Sequence, residues 1–452
     1  MATIPIRQGR LGLLLTYFLV TLFAVNVQCQ DDGSAQHPVS LGNARHFPRL
    51  PVLGYVTPWN SRGKELVEEH RQKFDIVSPV WYTIHASEAQ GEELYTVKGG
   101  PPSEEDEAWY KRLQQPLDTE DASPKPVQVA PRFFLDGWTA DDYQNLVLNQ
   151  TRWQILSDAI IGVVTEKSYD GIVFESWASY ALGPPLTAIS EALHAEGKIL
   201  ILVMPPTRRG SDDKITTHNS AILKSIAGLS HHVDYFSVMT YDMTGPGGRE
   251  VHSASGLPQE SSVRRAIAQG QVREPGPNTS AGWVRENLVA FVEASQASSM
   301  ERLQYPSRFR EESPWASRKF LMGMPLYGYR YPVIFVDRET GDVAQRAGAD
   351  AAFPIMMGAG EPVTTVEIVG IIEETGSQVS ETEEGEYYFD YEKAPEEGQG
   401  HWRVFLPTSE GVTHVLDTIQ GVVDDELMYT FGGAGVALWE VGQSSSDLLE
   451  SL

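Results

Sequence analysis

The chain contains almost no cysteine: of its 452 residues, only Cys29 carries a thiol. Because Cys29 falls at the end of a predicted signal peptide, the mature protein is expected to have no disulfide, cysteine nucleophile or thiolate metal site. No histidine cluster has metal-ligand spacing, and no glycine-rich phosphate turn follows a predicted strand. We therefore predict a protein that uses neither a metal nor a cofactor.

Positive charge is also scarce. The sequence has 35 lysines and arginines against 61 acidic residues, which gives a formal net charge of −26. Nucleic acids and anionic membrane surfaces need clustered basic residues, so both are excluded as expected partners. The acidic balance suits a neutral ligand or a compartment of low pH, and solubility alone explains it equally well.

The longest apolar stretch lies near the N-terminus. Arg7 and Arg10 precede the apolar run 11–25, which has the length of a signal-peptide core and is short for a membrane span. We predict a secretory signal peptide over residues 1–29, followed by a polar leader, residues 30–50, without a fold of its own. An uncleaved signal anchor is the alternative.

Two N-glycosylation sequons, at Asn149 and Asn278, fit the same route. The expected product is a glycoprotein that is secreted or held in an endomembrane lumen such as the lysosome. It would have no membrane span once the signal is cleaved. A protein partner in the secretory or endolysosomal route stays open as a second class of ligand.

Past residue 50 the sequence alternates short apolar runs with amphipathic segments. The runs predict eight strands, at residues 52–56, 74–82, 127–134, 172–174, 199–204, 235–241, 320–326 and 435–439. Eight strands separated by helical patterns indicate a (β/α)8 TIM barrel over 51–452, with a small acidic insertion after strand seven at about 330–403. An open doubly wound sheet is the alternative, and the missing phosphate turn argues against it.

The fourth predicted strand belongs to the stretch 169–177, which reads Y-D-G-I-V-F-E-S-W. Side chains alternate across a strand, so Val173, Glu175 and Trp177 are expected to share one face. Ile172 and Phe174 make the other face apolar too, as in a parallel strand that is buried on both sides. Glu175 thus lies at the carboxyl end of a buried strand, where barrel enzymes carry active-site residues.

The other predicted strand ends are rich in aromatic residues and carboxylates. Aromatic faces stack on sugar rings, and polar groups at their edges hydrogen-bond the ring substituents. We predict a carbohydrate-binding cleft at this end of the barrel. Its candidate residues are Trp59, Trp81, Trp177, Tyr241, Asp242, Tyr327, Trp439 and Glu440, with Glu175 as the candidate catalytic residue.

Three of these segments resemble the motifs of glycoside hydrolase family 18. The stretch 169–177 is similar to that family's D-G-x-D-x-D-x-E, and 239–242 (M-T-Y-D) is similar to its M-x-Y-D. Leu438-Trp439-Glu440 resembles the last strand, whose Trp forms the floor of a sugar subsite. More closely, these segments resemble the chitinase domain-containing (stabilin-interacting chitinase-like) branch. The resemblance implies a ligand similar to chito-oligosaccharide and adds Met239 to the candidate binding residues.

The same alignment shows where the chain departs from the family pattern. In family members that hydrolyse chitin, the final Glu of the motif protonates the glycosidic oxygen, and the preceding Asp orients the substrate's acetamide group. Here these positions hold Trp177 and Glu175, and Val173 replaces the first inward Asp. An indole N–H has no useful acidity, so the resemblance implies a protein that binds N-acetylglucosamine oligosaccharides without cleaving them.

Two alternatives stay open at this point. A glycosidase could use a relocated carboxylate such as Glu175, with Glu440 and Asp242 as further candidates. An interaction module with a vestigial cleft would leave Glu175 as a structural carboxylate. The adjacent pair Arg208-Arg209 is expected in a solvated turn, with contact to an anionic sugar as its alternative.

Overall fold

The computed structural model describes residues 50–87, 93–116, 126–251, 253–297, 317–344, 352–382, 384–393, 400–420, 423–424, 429–430 and 433–452. The predicted signal peptide 1–29, with Cys29, and residues 30–49 of the predicted leader 30–50 lie outside these ranges. Among the residues described, no helix has both the length and the apolar character needed to cross a membrane.

Strands and helices alternate along most of the described chain. The strands are β1 (Val52–Val56), β2 (Ile76–Pro79), β3 (Tyr82–Ala86), β4 (Tyr95–Gly99), β5 (Gln128–Val129), β6 (Arg132–Leu135), β7 (Gly171–Glu175), β8 (Ile199–Met204), β9 (Tyr235–Val238), β10 (Arg249–Glu250), β11 (Arg273–Glu274), β12 (Phe320–Pro325), β13 (Tyr327–Asp337), β14 (Ala352–Met356), β15 (Glu361–Thr364), β16 (Ser380–Glu381), β17 (Tyr387–Lys393), β18 (Gly400–Leu406), β19 (Val423–Asp424), β20 (Tyr429–Thr430) and β21 (Gly435–Trp439). The helices are α1 (Arg62–Glu69), α2 (Glu104–Leu113), α3 (Ala140–Leu148), α4 (Gln150–Lys167), α5 (Gly183–Ala195), α6 (Asp213–Leu229), α7 (Ser262–Ala268), α8 (Ala281–Ala297), α9 (Thr365–Thr375), α10 (Ser409–Gln420) and α11 (Ser446–Glu450).

The largest sheet closes on itself as a parallel barrel. Its hydrogen-bonded order runs β3-β6-β7-β8-β9-β12-β21-β1-β2-β5, and β4 adds an antiparallel edge to β3. Short interruptions divide the second barrel strand into β2 and β3 and the third into β5 and β6. Since β2 pairs with β5 and β3 with β6, the two ends of the order meet. The predicted (β/α)8 barrel is confirmed.

Side-chain alternation divides the core into two layers. On β7, Val173 belongs to an apolar cluster inside the barrel, together with Tyr55 and Ile201. Its neighbours Ile172 and Phe174 belong to the larger cluster between strands and helices. Both faces of β7 are therefore apolar, and the two-residue period of the strand directs Glu175 to the same side as Val173.

The part of the chain between β12 and α10 forms an antiparallel sheet. Its main order is β14-β13-β18-β17-β16, with β15 paired to β13, and it runs from Tyr327 to Leu406. The sequence predicted only a small acidic insertion at about 330–403. Polar cross-strand pairs explain why the sheet was missed: Arg403 on β18 lies opposite Asp390 on β17 and donates to both of its carboxylate oxygens at 2.8 Å.

The Asp-Gly pair before β7 fixes the start of that strand. One oxygen of Asp170 accepts hydrogen bonds at 2.8 Å from the backbone of Val129 and from the side chain of Gln114. Gly171 lies beside Ile199 on β8, and a Cβ at this glycine would come within 2.2 Å of the Ile199 carbonyl oxygen. Only glycine fits this close approach of two backbones.

We predict that Gly171→Ala destabilises the protein by about 2–3 kcal/mol, because the added methyl group must push β7 away from β8. Urea unfolding of the purified protein measures this change. Gly162→Ala is the matched control: Gly162 is exposed within α4, and a Cβ added there would meet no atom within 4 Å. Alanine at that position should raise stability by about 0.5–1 kcal/mol. Equal effects of the two substitutions would contradict this account.

Candidate functional site: a cleft at the carboxyl ends of the barrel strands

A cleft of 900 Å³ opens where β7, β8 and β9 end. In barrel folds this is the face on which ligands bind, because the loops that follow the strands meet there. The cleft contains the candidates Glu175, Trp177, Met239, Tyr241 and Asp242. The remaining residues that line it are Ser176, Tyr180, Pro205, Pro206, Arg208, Arg209, Ile215, His218, Met243, Thr244, Arg249 and Trp283.

Glu175 is paired with an arginine that the sequence analysis did not single out. Arg132 on neighbouring β6 donates from Nη1 to Glu175 Oε2 at 3.1 Å, and the side chains of both residues are largely buried. Burial raises the pKa of Glu175, while the charge and the hydrogen bond of Arg132 act in the opposite direction. The guanidinium therefore favours a carboxylate that accepts hydrogen bonds over a carboxylic acid that donates a proton.

Three aromatic rings, from β1, β21 and the segment after β9, pack together next to the cleft, which Tyr55 and Trp439 do not line. Tyr241 lines the cleft, and the half-buried Trp439 is stacked beside it at 6.3 Å between ring centroids. Trp439 also meets Tyr55 edge to face at 5.2 Å, and the Tyr55 hydroxyl is 2.8 Å from the hydroxyl of Ser237. Burial raises the pKa of both tyrosines, so their hydroxyls stay neutral and can donate hydrogen bonds at neutral pH.

Asp242 is held in a defined orientation. Its φ angle is +56°, and its backbone N–H donates to the side-chain oxygen of Asn278 at 2.7 Å. Its Oδ1 accepts bonds from the hydroxyls of Tyr327 at 2.5 Å and Tyr329 at 2.9 Å. The second oxygen, Oδ2, has no partner of this kind within the described chain, so it is the atom through which Asp242 can accept a bond from a ligand. Tyr327 acts through Asp242 in this arrangement.

Trp177 lies farther from the barrel interior than the strand pattern predicts. Strand β7 ends at Glu175, and a turn follows in which the Ser176 backbone N–H donates to Ser179 Oγ. Trp177 is 84% exposed and contacts Phe134 edge to face at 6.2 Å. It lines the cleft at its rim and does not fill the space above Glu175.

The structure places two of the predicted tryptophans away from the cleft. Trp81 packs against Trp109 and Tyr110 of α2, on the helix side of the barrel. Trp59 is 70% exposed in the turn after β1, and it neither lines the cleft nor stacks on a ring that does. Trp59 follows a predicted strand and Trp81 lies near the end of one, as ligand-binding aromatics do, and only the three-dimensional packing separates them from Trp439.

The expectation that Glu440 faces the ligand is corrected by its hydrogen bonds. Its side chain is 2% exposed, and it accepts bonds from Asn60 Nδ2 at 3.1 Å and from the backbone N–H of Gly442 at 3.0 Å. Burial raises the pKa of Glu440, and the bonds to Gly442, Asn60 and Thr57 oppose the rise. Glu440 thus anchors the turn after β21 to the loop after β1.

The adjacent arginines after β8 were predicted to lie in a solvated turn. Arg209 makes an exposed bidentate pair with Glu286, with both N–O distances at 2.8 Å. Arg208 lies near His218, whose pKa is lowered by burial and by the charge of Arg208. The turn is solvated, and both arginines also border the cleft.

The arrangement offers aromatic faces, neutral hydroxyls and two carboxylates as acceptors. Such a combination suits a polar ring-shaped ligand that is uncharged. Within the ranges that the structure describes, no group of three or more His, Cys, Asp or Glu side chains could hold a metal ion.

Comparisons with known proteins agree with the barrel fold. The family described as "Glycosyl hydrolases family 18" matches residues 52–394. Among solved structures, the chain is similar to a chitinase of Chromobacterium violaceum (16% identity, 89% of this chain and 97% of the other, TM-score 0.58). It is also similar to the C-terminal domain of a putative chitinase of Desulfitobacterium hafniense (16% identity, 89% of this chain and 97% of the other, TM-score 0.57). A third similar structure is a mutant chitinase of Cycas revoluta in complex with (GlcNAc)4 (13% identity, 89% of this chain and 97% of the other, TM-score 0.50).

We predict that Arg132→Met destabilises the protein by about 2–3 kcal/mol at neutral pH, because the substitution leaves the Glu175 carboxylate buried without its partner. This value lies below the full cost for a buried pair, because Glu175 remains 23% exposed. Without the guanidinium the folded-state pKa of Glu175 should rise further. When folding raises the pKa of a carboxyl group, the folded protein becomes less stable as the pH increases through that pKa.

Urea unfolding of Arg132→Met should therefore show a larger deficit at neutral than at mildly acidic pH. The double variant Arg132→Met/Glu175→Gln is the control. It should regain most of the lost stability and should not show the added pH dependence. A deficit in Arg132→Met that is the same at both pH values would show that the pair does not hold Glu175 ionised.

Proposed function

Because the chain belongs to glycosyl hydrolase family 18, we propose that it binds chitin-type oligosaccharides of N-acetylglucosamine in the cleft without hydrolysing them. The observation that carries the proposal is the position of Trp177. Trp177 takes the sequence position of the motif's proton donor while its side chain lies at the rim of the cleft, and its indole N–H cannot protonate a glycosidic oxygen.

The geometry around Glu175 supports binding over cleavage. Glu175 stands where active members carry the Asp that orients the acetamide group, and Arg132 opposes its protonation. A general acid must be protonated and within hydrogen-bond reach of the leaving oxygen. An ionised Glu175 can instead accept bonds from a sugar hydroxyl or from an acetamide N–H.

The aromatic rings at the cleft are an argument for a saccharide ligand. Trp439 and Tyr241 present flat surfaces, while Asp242 can accept a hydrogen bond at the edge of a ring. The similar Cycas revoluta protein was solved with (GlcNAc)4. We extend that ligand class to this chain as part of the proposal.

A second candidate function is a glycosidase that uses Glu175 as a relocated acid. Burial raises the pKa of Glu175, and a raised pKa is what a general acid needs near neutral pH. The ion pair with Arg132 acts against this role. Cleavage of a chito-oligosaccharide that disappears in Glu175→Gln would establish the second candidate.

We predict that Trp439→Ala weakens chito-oligosaccharide binding by about 2 kcal/mol, or roughly thirtyfold in Kd, because the stacked pair that Trp439 forms with Tyr241 is lost. Isothermal titration calorimetry with chitotetraose measures the change. Trp81→Phe is the matched control, since Trp81 packs against α2, and it should leave the affinity unchanged. Equal measurable affinities for wild type and Trp439→Ala would contradict the stacking role of Trp439, and no binding by either protein would indicate a vestigial cleft and favour an interaction module.

The proposal includes the branch and the cellular route. The segments around Glu175, Tyr241 and Trp439 favour the chitinase domain-containing (stabilin-interacting chitinase-like) branch. With the predicted signal peptide 1–29, the protein would be secreted or held in an endomembrane or lysosome-like lumen. A protein partner would be met along that route.

The two sequons are not equivalent in the fold. Asn149 is exposed at the start of α4. Asn278 is 6% exposed, its Oδ1 accepts from the Asp242 N–H, and its Nδ2 donates to the Tyr327 carbonyl at 3.1 Å. The nitrogen that would carry a glycan is therefore already bonded and buried at Asn278.

We predict that protein secreted from eukaryotic cells carries an N-glycan on Asn149 and none on Asn278. Peptide mapping by mass spectrometry before and after enzymatic deglycosylation measures the occupancy of each site. The same experiment locates the mature N-terminus, which should lie close to residue 30. Occupancy of Asn278 would contradict the buried arrangement around Asp242.

A further inference from the structure

A second cavity lies between the inserted sheet and helix α10 and shares no lining residue with the cleft. Its inner compartment measures 60 Å³ and has mainly apolar walls, to which Met324, Phe405, Val412 and Val415 contribute. An outer compartment of 510 Å³ adjoins it, and the two share Gly385, Tyr387 and His414 as lining residues.

The inner compartment contains a carboxylate that the fold does not satisfy. Glu386 lines it and is 9% exposed. One oxygen, Oε2, accepts a hydrogen bond from the Thr382 hydroxyl, which in turn accepts the Glu386 backbone N–H at 3.0 Å. The other oxygen, Oε1, is buried without a hydrogen-bond partner among the described residues. An unpaired buried carboxylate oxygen is costly, and native proteins usually supply a partner for it.

The neighbouring charges do not supply that partner. Burial raises the pKa of Glu386, and the charge of Glu384 acts in the same direction. The charge of Arg249 lowers the pKa of Glu386, but its effect is the smallest of those that act on this group. The Arg249 guanidinium is already paired with Glu274 at 3.0 Å. A cation from outside the chain is the chemical group that would complete the site.

The outer compartment has the charge that would attract such a cation. Three acidic residues line it, and His414 and Tyr387 lie between them and the inner compartment. Clustered charge of one sign at an opening raises the local concentration of ions of the opposite sign. The acidic residues are Glu381, Glu410 and Asp417.

The size of the inner compartment limits the ligand. A water-sized group needs roughly 12 Å³ of such volume, so 60 Å³ holds about five non-hydrogen atoms. An ammonium group with a stem of four methylene groups has this size and would place the apolar stem against apolar walls. A sugar ring is too large for it.

We propose that this cavity binds a primary alkylammonium group, with the ammonium against Glu386 and the carbon stem in the inner compartment. The group could come from a free alkylamine or from a lysine side chain, since both present the same chemistry. The proposal does not rest on the proposed function, and the cavity shares no lining residue with the saccharide cleft, although Asn278 and Tyr327 line the inner compartment and also hydrogen-bond Asp242 of the cleft.

The experiment titrates the full mature protein with n-butylammonium and with 1-butanol, its neutral counterpart of equal length, at neutral pH by ligand-observed NMR. We expect binding of butylammonium at least tenfold tighter than that of butanol in the wild type. Equal binding of the two would reduce the cavity to an apolar pocket, and no binding of either would overturn the proposal as well. This comparison needs no variant.

Glu386→Gln should weaken butylammonium binding at least tenfold. Glu373→Gln is the matched control, because Glu373 is exposed on α9 and does not line either compartment, and it should leave binding unchanged. Chitotetraose binding in Glu386→Gln should equal that of wild type, which separates this proposal from the cleft. Butylammonium binding that survives Glu386→Gln would contradict the assignment.

Nα-acetyl-lysine N-methylamide distinguishes a lysine side chain from a free alkylamine as the source of the ammonium group. Binding of this compound as tight as that of butylammonium would point to a lysine side chain of a protein partner. Binding of butylammonium alone would point to a small amine.

Discussion

The ion pair between Arg132 and Glu175 is the interaction on which the chemistry of the cleft depends. Strands β6 and β7 are neighbours, and the two-residue period of each strand brings both side chains to the mouth of the barrel. A carboxylate in this position must be either protonated or paired with a cation, because burial makes an isolated charge too costly. The guanidinium favours the charged form, and the charged form accepts hydrogen bonds.

The remaining features of the cleft follow from that choice. In the proposed function, Arg132 keeps Glu175 as a hydrogen-bond acceptor and Trp177 stands at the motif position of the acid, so neither residue would donate a proton to a leaving oxygen. The stacked rings of Trp439 and Tyr241 and the oriented Asp242 would supply the contacts that the proposal assigns to a bound sugar. Under this proposal the site keeps the recognition elements of a family 18 cleft, and its charges serve binding.

The barrel could be predicted from the sequence because β-strand periodicity is a local property. The alternation of Val173 and Glu175 against Ile172 and Phe174 needs no knowledge of distant residues. Arg132 could not be predicted in the same way, because its partner is 43 residues away and an arginine in a strand is usually exposed. Glu440 was misassigned for a similar reason: its partner Asn60 is 380 residues away in the chain.

The central claim is that a bound oligosaccharide stays intact. Mass spectrometry of chitotetraose after long incubation with the purified protein, over a wide pH range, tests it most directly when binding is measured in parallel. The account predicts saturable binding and no shortened products at any pH. Shortened products that form with the wild type and vanish in Glu175→Gln would contradict it, and they would identify Glu175 as a catalytic acid.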